Sequence, residues 1–443
     1  MHFFTYKNNE LYAEDVPIRE LVKEFGTPLY IYSYGTLIRH IRAYEEAFSE
    51  ISHLICYAVK ANSNIAILRI FAELGIGADI VSGGELFRAL KAGINPSRIV
   101  FAGVGKTEDE ITYALKNNIL MFNVESEAEL YKINELAKKI KKHARVALRV
   151  NPDIDPKTHK YIATGLKSSK FGIPIEKAIE YYKIAKSLNN IKIVGIHKHI
   201  GSQITETSAY VEALGKIILL YDKLAKYDLD IEYIDIGGGL GITYKDEEPP
   251  HPKDLAKALV PLVKNKKGKL IIEPGRSIVG NAGILVTKVL YTKQTDIKNF
   301  FIVDAGMNDL MRPTLYGSYH EILPVTPKER NKIVADIVGP ICESGDFLAK
   351  DRQIENVSTG EYLAVMSAGA YGFSMSSNYN SRPKVAEVLV KGQQYALIRK
   401  RETYRDLISF LTVAICWVIL SLSLAISRKS LGRKDLSGSC LWT

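Results

Sequence analysis

The chain has 443 residues, 47% of them hydrophobic and 24% charged, a balance typical of a globular protein with a sizeable core rather than a disordered one. Its net charge of +10 includes no basic run longer than residues 138–142, which we interpret as a solvated helix face, so nucleic acid is not an expected partner. The four cysteines form no CxxC pair and no metal spacing, which predicts a cytoplasmic protein with neither structural disulfides nor a metal site.

Short strand-like segments open the chain, with a predicted helix at Ile18–Phe25 between them. Apolar runs then alternate with stretches of helical periodicity. The predicted strands are residues 55–61, 77–81, 99–102, 120–124, 146–150, 193–200, 231–236 and 270–272. Eight such units over roughly 230 residues predict a (β/α)₈ barrel of the TIM type.

After Gly280 the segments become short and strand-like, which predicts an antiparallel β-sandwich or β-barrel domain. We expect the barrel to span residues 32–280. Residues 1–31 and 281–403 are expected to form the β domain, and residues 404–443 an apolar tail.

Polar residues stand at the carboxyl ends of the predicted barrel strands, where the active sites of such barrels lie. They include Lys60, Asp79, Arg149, His199, Gly237–Gly239 and Glu273. Any one of these could be part of an ordinary turn. Their shared position predicts an active site on this face.

Lys60 ends an apolar run, and burying its ammonium costs free energy unless it is paired or used chemically. A desolvated lysine loses its proton more easily and can form a Schiff base with a carbonyl such as that of pyridoxal phosphate. The alternative is a lysine at a strand end whose amine reaches water.

The Gly237-Gly238-Gly239 turn fits a phosphate site, because its backbone amides can approach a phosphate closely. Glu273 could accept a hydrogen bond from a pyridinium nitrogen and keep the ring a strong electron sink. The alternatives are a salt bridge between Glu273 and Arg276, and a core position for His199.

Together these segments resemble motifs of the fold-type III pyridoxal phosphate decarboxylases, in the same order, from about residue 10 to about residue 406. They are residues 57–62 (YAVKAN), 199–203 (HIGSQ), 237–241 (GGGLG) and 273–276 (EPGR). Residues 304–313, 342–344 (CES) and 369–372 (GAYG) resemble the diaminopimelate decarboxylase branch in particular.

The resemblance implies a role for each residue around the cofactor. Lys60 forms the Schiff base with pyridoxal phosphate, His199 stacks on its ring, and Glu273 holds the pyridine nitrogen. The expected phosphate cradle consists of Ser202, Gly238, Gly239, Gly275 and Arg276. Asp79 and Arg149 are expected to lie just behind these residues.

The resemblance also implies how the substrate is held. Arg276, Arg312 and Tyr316 bind carboxylates, and Tyr371 touches both cofactor and substrate. Glu343 binds a substrate ammonium, and Cys342 is the acid that protonates the carbanion after CO₂ leaves. Cys342 and Glu343 come from the partner subunit of a homodimer.

The implied reaction is decarboxylation of meso-2,6-diaminopimelate to L-lysine and CO₂, the last step of lysine biosynthesis. A fork-shaped guanidinium recognises a second carboxylate bidentately, which favours this substrate over diamine precursors. The alternatives are a decarboxylase of ornithine, arginine or carboxynorspermidine, and a non-catalytic pyridoxal phosphate-binding protein of the same fold.

Two features depart from the family pattern. Lys198 stands between two histidines where relatives often have cysteine; strand alternation points it to the packed side of the barrel, where it needs a partner or a route to solvent. Residues 407–426 carry no charge and are long enough to span a bilayer. They are either a membrane anchor, a frameshift or read-through product, or a helix packed in the assembly.

Overall fold

The computed structural model describes residues 2–155, 164–165 and 169–411. A small antiparallel sheet begins the chain, with strands β1 (Phe4–Lys7), β2 (Glu10–Ala13) and β3 (Val16–Pro17). Helix α1 (Ile18–Phe25), as predicted, and strand β4 (Leu29–Ser33) follow. Leu29 and Ile31 of β4 are fully buried.

Eight parallel strands then close into a barrel, which confirms the predicted (β/α)₈ architecture. The sheet closes because the first strand pairs with the last and the fourth with the fifth. The strands are β5 (His53–Ala58), β6 (Gly77–Ile80), β7 (Ile99–Phe101), β8 (Met121–Val124), β9 (Ala144–Asn151), β11 (Ile191–His197), β12 (Tyr233–Asp235) and β13 (Lys269–Ile272). A two-residue strand, β10 (Ile173–Pro174), pairs with the end of β9.

Helices cover the outside of the barrel, and several begin where a side chain accepts a hydrogen bond from the first turn. Ser82, for example, accepts from the N–H of Glu85. The helices are α2 (Tyr34–Ala47), α3 (Ile65–Glu73), α4 (Gly83–Ala92), α5 (Glu108–Lys116), α6 (Glu127–Lys139), α7 (Ala178–Ser187), α8 (Ser208–Ala225), α9 (Pro252–Val263) and α10 (Arg276–Val279).

An apolar cluster that includes Cys56, Met121, Val194 and Ile271 packs together from barrel strands β5, β8, β11 and β13. Because side chains alternate along a strand, Glu273, two residues after Ile271, lies on the same face toward the carboxyl end. The fold therefore gathers the polar strand ends in one layer at the mouth of the barrel.

A second large sheet follows, as the sequence predicts. Its elements are β14 (Gly283–Gln294), β15 (Asn299–Val303), helix α11 (Arg312–Tyr316), β16 (Ile322–Pro324), β17 (Lys332–Val338), β18 (Phe347–Glu355), β19 (Tyr362–Val365), β20 (Ala386–Lys391) and β21 (Gln394–Arg399). Most pairings are antiparallel, but β15 with β17 and β4 with β20 are parallel. Strand β4 lies in the middle of this sheet, between β14 and β20.

The compact unit that contains the barrel and the second sheet ends at Arg401, and the described residues 402–411 belong to a different unit. Its described part contains helix α12 (Tyr404–Ile408), which begins with a capping box between Thr403 and Asp406. Most of the predicted apolar segment, residues 412–426, lies outside the described residues. Within the part of the chain that the structure describes, no helix combines the length and the apolar character that crossing a bilayer requires.

Candidate active site

A cavity of about 460 Å³ opens at the carboxyl end of the barrel, between the strand ends and the second sheet's loops. This volume is typical of small-molecule sites. Ten predicted site residues line it: Lys60, His199, Ser202, Gly239, Glu273, Gly275, Arg276, Arg312, Tyr316 and Tyr371. Gly238, Cys342 and Glu343 do not line it.

Lys60 lies in a short 3₁₀ turn, Val59–Ala61, directly after strand β5. Its Nζ lies 2.5 Å from Oδ2 of Asp79, which is fully buried at the end of the next strand. Burial alone would lower the pKa of Lys60, but the attraction of Asp79, Tyr371 and Glu273 raises it above the ordinary value. The expectation that desolvation makes this lysine lose its proton was therefore wrong, because a buried acid faces the amine.

The second Asp79 oxygen, Oδ1, is buried without a hydrogen-bond partner. Burial and repulsion from Glu273 raise the pKa of Asp79 to about 7, although Lys60 opposes that shift. The ionised carboxylate of Asp79 therefore stabilises the charged form of Lys60, and protonation of Asp79 would remove that stabilisation.

His199 follows strand β11, and its Nδ1 accepts a hydrogen bond of 3.2 Å from the N–H of Gly238. Burial and the nearby charges of Arg149 and Lys60 lower the pKa of His199 well below its ordinary value. The ring is therefore neutral and fixed in one tautomer with Nδ1 as the acceptor. A neutral ring held in place this way can stack on an aromatic cofactor.

The glycine turn is dictated by backbone packing. A Cβ on Gly238 would lie 2.0 Å from the carbonyl oxygen of Glu273, and one on Gly239 would lie 2.3 Å from that of Gly201. Gly239 also has a φ of +108°, which disfavours any other residue. Close approach to a phosphate is the expected reason for these glycines. The structure adds a second reason, which is the close approach of Gly238 and Gly239 to the backbone that follows β13 and β11, respectively.

Glu273 lies at the centre of a buried polar layer. Its Oε2 lies 3.5 Å from Nε2 of His197, and its Oε1 lies 3.4 Å from the amide nitrogen of Asn123. Burial would raise the pKa of Glu273, but its close contact with His197 and the charge of Lys60 lower it. Glu273 thus presents an ionised carboxylate to the cavity.

Arg149, which was expected behind the cofactor residues, forms a buried ion pair of 2.7 Å with Glu125. Its guanidinium also stacks 4.6 Å from the ring centre of Phe171. Arg149 does not line the cavity, so its contribution is to hold the strand ends that do.

Two arginines line the opposite side of the cavity. Arg276 donates to the hydroxyl of Tyr244 at 2.7 Å and to Ser202 at 3.0 Å. Arg312 lies 2.8 Å from Nε2 of His320, and its guanidinium lies 4.4 Å from the ring centre of Tyr244. Both arginines are buried, and their described hydrogen-bond partners are all neutral. Buried cations without an anion predict an anionic ligand.

Sequence reasoning did not identify Tyr244 and His320, which orient these arginines. His320 lies 2.8 Å from the carbonyl of Met366 through Nδ1, which leaves Nε2 as the acceptor for Arg312. Burial and the charge of Arg312 lower the pKa of His320 to about 3, so the ring is neutral. Neither residue stands in a recognisable motif or at a strand end, and only the fold brings them to the cavity.

Tyr371 comes from a loop of the second sheet, and its N–H donates to the carbonyl of Ala61 in the Lys60 turn. This contact fixes the loop against the barrel. Cys342 and Glu343 are exposed elsewhere: the N–H of Cys342 donates to Asn380, and Glu343 lies 3.5 Å from the hydroxyl of Tyr379. The chain's own cavity therefore lacks both residues.

Lys198 is fully buried on the outer side of the barrel sheet. Its Nζ lies 4.9 Å from the ring centre of Tyr210 on α8 and has no hydrogen-bond partner among the described residues. Lys198 thus lies on the packed side, as strand alternation predicts, and the partner it needs there is the ring face of Tyr210 rather than a hydrogen-bond acceptor. Burial lowers the pKa of Lys198 to about 7, against the attraction of Asp235 and Glu273.

The residues around the cavity fit pyridoxal phosphate. A lysine amine and a buried ionised carboxylate face the cavity from the ends of the neighbouring strands β5 and β13, and a neutral histidine follows β11. Two arginines have no anionic hydrogen-bond partner among the described residues. These groups match an aldehyde, a pyridine nitrogen, a ring face and anionic substituents, respectively. The fold and site together define a barrel enzyme that uses pyridoxal phosphate.

Comparison with known proteins gives the same class. Residues 34–280 match the family model described as the pyridoxal binding domain of pyridoxal-dependent decarboxylases. Diaminopimelate decarboxylase from Aquifex aeolicus is 59% identical over 91% of this chain and 96% of its own length. The Haemophilus influenzae enzyme of that name is 52% identical over 92% and 98%, respectively.

Solved structures agree. Diaminopimelate decarboxylase from Helicobacter pylori, complexed with L-lysine, superposes with a TM-score of 0.86 at 45% identity, covering 88% of this chain and 98% of that one. The chain belongs to the diaminopimelate decarboxylase family.

Proposed function

We propose that this cavity decarboxylates meso-2,6-diaminopimelate to L-lysine and CO₂, with Lys60 as the residue that binds pyridoxal phosphate covalently. The single observation that carries the substrate choice is the pair of buried arginines, Arg276 and Arg312, whose described hydrogen-bond partners are neutral. The cofactor phosphate and the distal carboxylate of this substrate together would supply the anions that Arg276 and Arg312 lack.

The residues that would hold the cofactor surround the cavity. His199 would lie against the ring and Glu273 at the pyridine nitrogen, with Ser202, Gly238, Gly239, Gly275 and Arg276 at the phosphate. Pyridoxal phosphate, when bound, supplies an electron sink for the electron pair left by departing CO₂. Glu273 strengthens that sink because an ionised carboxylate keeps the pyridine nitrogen protonated.

Asp79 controls the proton on Lys60. While Asp79 is ionised, it holds the amine as an ammonium across the 2.5 Å contact and raises the pKa of Lys60. Neutralising Asp79, whose pKa is raised to about 7, would remove that attraction and let the amine lose its proton more readily and act as a nucleophile.

Arg312 and Tyr316 would bind the distal carboxylate of the substrate, and Tyr371 would contact both substrate and cofactor. The guanidinium of Arg312 is held by Ser318 and His320, so its free edge is oriented before a substrate arrives. A diamine precursor such as ornithine carries an ammonium at this position and would be repelled.

Cys342 and Glu343 would complete the cavity of a second subunit in a homodimer. Both lie on an exposed loop of the second sheet and outside their own chain's cavity, which supports this proposal. A two-fold axis would bring each loop to the other cavity, where Cys342 would donate the final proton and Glu343 would bind the substrate ammonium.

The domain division at residues 32–280 is part of the same proposal, and so is a cytoplasmic location. The free thiols of Cys56 and Cys342 support a reducing compartment. The proposed arrangement needs no contribution from residues 412–443.

The test is CO₂ release by the purified protein with pyridoxal phosphate and, separately, meso-diaminopimelate, ornithine, arginine and carboxynorspermidine. We expect turnover of diaminopimelate and none by Lys60→Ala. Preference for another substrate would favour a related decarboxylase, and cofactor binding without any CO₂ would favour the non-catalytic alternative.

A further inference from the structure

Asp235 ends strand β12 inside the barrel and has no assigned part in the reaction. Its side chain is fully buried, and Oδ1 accepts a 2.9 Å hydrogen bond from the N–H of Gly237, the first glycine of the turn. The carbonyl of Gly237 accepts in turn from the N–H of Glu273. Asp235 is thus linked both to the glycine turn and to the acid that faces the cavity.

The carboxyl groups of Asp235 and Glu273 are close neighbours. A ligand oxygen of each lies within 4.8 Å of the other, and the amide nitrogen of Asn123 lies 3.4 Å from one oxygen of each. Two ionised carboxylates buried at this spacing repel each other strongly. One proton held by the pair removes that repulsion, as it does in other buried carboxyl pairs.

The titratable groups nearest to Asp235, on β5, β6 and the ends of β11 and β13, are Cys56, Asp79, His197 and Glu273, with Lys198 on the outer side of the sheet. Burial favours the neutral forms of His197 and Lys198, so at pH 8 neither supplies a positive charge to Asp235. Lys60, which is cationic, lies against Asp79 instead. Burial and repulsion from Glu273 therefore both raise the pKa of Asp235.

We propose that Asp235 is a positioning residue whose protonated carboxyl group donates a hydrogen bond to Glu273. Asp235 would then hold in one geometry both the carboxylate at the pyridine nitrogen and the turn at the phosphate. This inference rests on the proposed cofactor site and is independent of the substrate.

Infrared difference spectroscopy of the holoenzyme at pH 8 tests the protonation. A carboxylic acid and a carboxylate have separate C–O stretching bands. We expect a carboxylic acid band in the wild type that disappears in Asp235→Asn and remains in Asp230→Asn, a control at an exposed position. A wild type without that band, or a band that survives in Asp235→Asn, would overturn the proposal.

Pyridoxal phosphate affinity tests the positioning. In Asp235→Asn the amide oxygen still accepts from Gly237 and the amide nitrogen still donates to Glu273, so we expect binding within about threefold of the wild type. Asp235→Leu loses both hydrogen bonds and should bind at least roughly tenfold more weakly. Equal weakening in both variants would show that an ionised carboxylate is needed, and unchanged binding in Asp235→Leu would show that Asp235 positions nothing. Both results overturn the inference, and neither depends on which substrate releases CO₂.

Discussion

The amine of Lys198 lies between the barrel sheet and helix α8, against the ring of Tyr210, where water does not reach it. A lysine in such a place is more stable neutral than charged, and its pKa falls from 10.5 to about 7. Between these values the unfolded chain binds a proton that the folded chain does not. Folding stability therefore rises with pH across this window, by up to about 1.4 kcal/mol per pH unit.

Replacing Lys198 by methionine removes this penalty and fills a similar volume. We expect Lys198→Met to be more stable than the wild type at pH 7, by about 1–4 kcal/mol, and the difference to shrink at pH 9. Urea unfolding of both proteins at the two pH values measures this. The control, Lys253→Met, changes an exposed lysine and should lie within about 0.5 kcal/mol of the wild type at both. A gap that does not depend on pH would contradict a neutral buried amine.

Arg312 depends on the shape of its guanidinium as well as on its charge. Arg312→Lys keeps the charge but cannot contact Ser318, His320 and a carboxylate at the same time. We expect kcat/KM for diaminopimelate to fall by an amount equivalent to roughly 1.5–3 kcal/mol, with pyridoxal phosphate affinity unchanged. Arg69→Lys, at an exposed helix position, serves as the control. Unchanged kcat/KM in Arg312→Lys would remove this residue from substrate binding.

At the scale of elements, the glycine turn after β12 packs against neighbouring strand ends and is the proposed phosphate site. Gly239→Ala would place a methyl group 2.3 Å from the carbonyl oxygen of Gly201, in a backbone conformation that alanine avoids. We expect loss of pyridoxal phosphate binding, seen by titration of the apoenzyme and monitored by absorbance.

Gly392→Ala is the matched control for that experiment. Gly392 also has a positive φ, +58°, but a Cβ there would meet nothing within 4 Å. It should lose about 1 kcal/mol of stability and bind the cofactor normally. Equal cofactor affinity in the two variants would show that the shape of the glycine turn does not control cofactor binding.

The sequence predicts the barrel well because its strands are apolar runs that alternate with helical periodicity, a local signal. It also places Lys60, His199 and Glu273 at one cavity, since each ends a predicted strand. It does not predict Tyr244 and His320, because they approach the arginines from loops whose paths depend on tertiary packing. The pKa of Lys60 was mispredicted for the same reason: its partner, Asp79, lies on the neighbouring strand.

The protonation of Asp235 belongs to the same class of property. The sequence around Asp235 predicts only a strand, residues 231–236, followed by a glycine turn at a phosphate site. Only the closed barrel brings three buried carboxyl groups, Asp79, Asp235 and Glu273, into one layer near one lysine. Protonation of Asp235 lowers the excess negative charge of that layer. The sequence pattern around one strand does not show this, because the three carboxyl groups lie at the ends of different strands.

At the scale of the whole molecule, the chain carries two separate parts of one proposed active site. Lys60 lines the cavity at the barrel mouth, and Cys342 is exposed on the second sheet's loops. The cavity of a single subunit therefore contains the residues proposed to bind the cofactor but not the proposed proton donor. Each cavity would be complete only in the homodimer.

Subunit complementation tests this account most directly. Lys60→Ala and Cys342→Ala should each be nearly inactive alone in CO₂ release from meso-diaminopimelate. When the two are mixed and allowed to exchange subunits, half of the dimers should contain one of each, with one cavity carrying both substitutions and the other neither. We expect recovery of roughly one quarter of wild-type activity under random pairing in a two-fold dimer. Activity that stays at the level of the single variants, although exchange is demonstrated, would contradict the shared site.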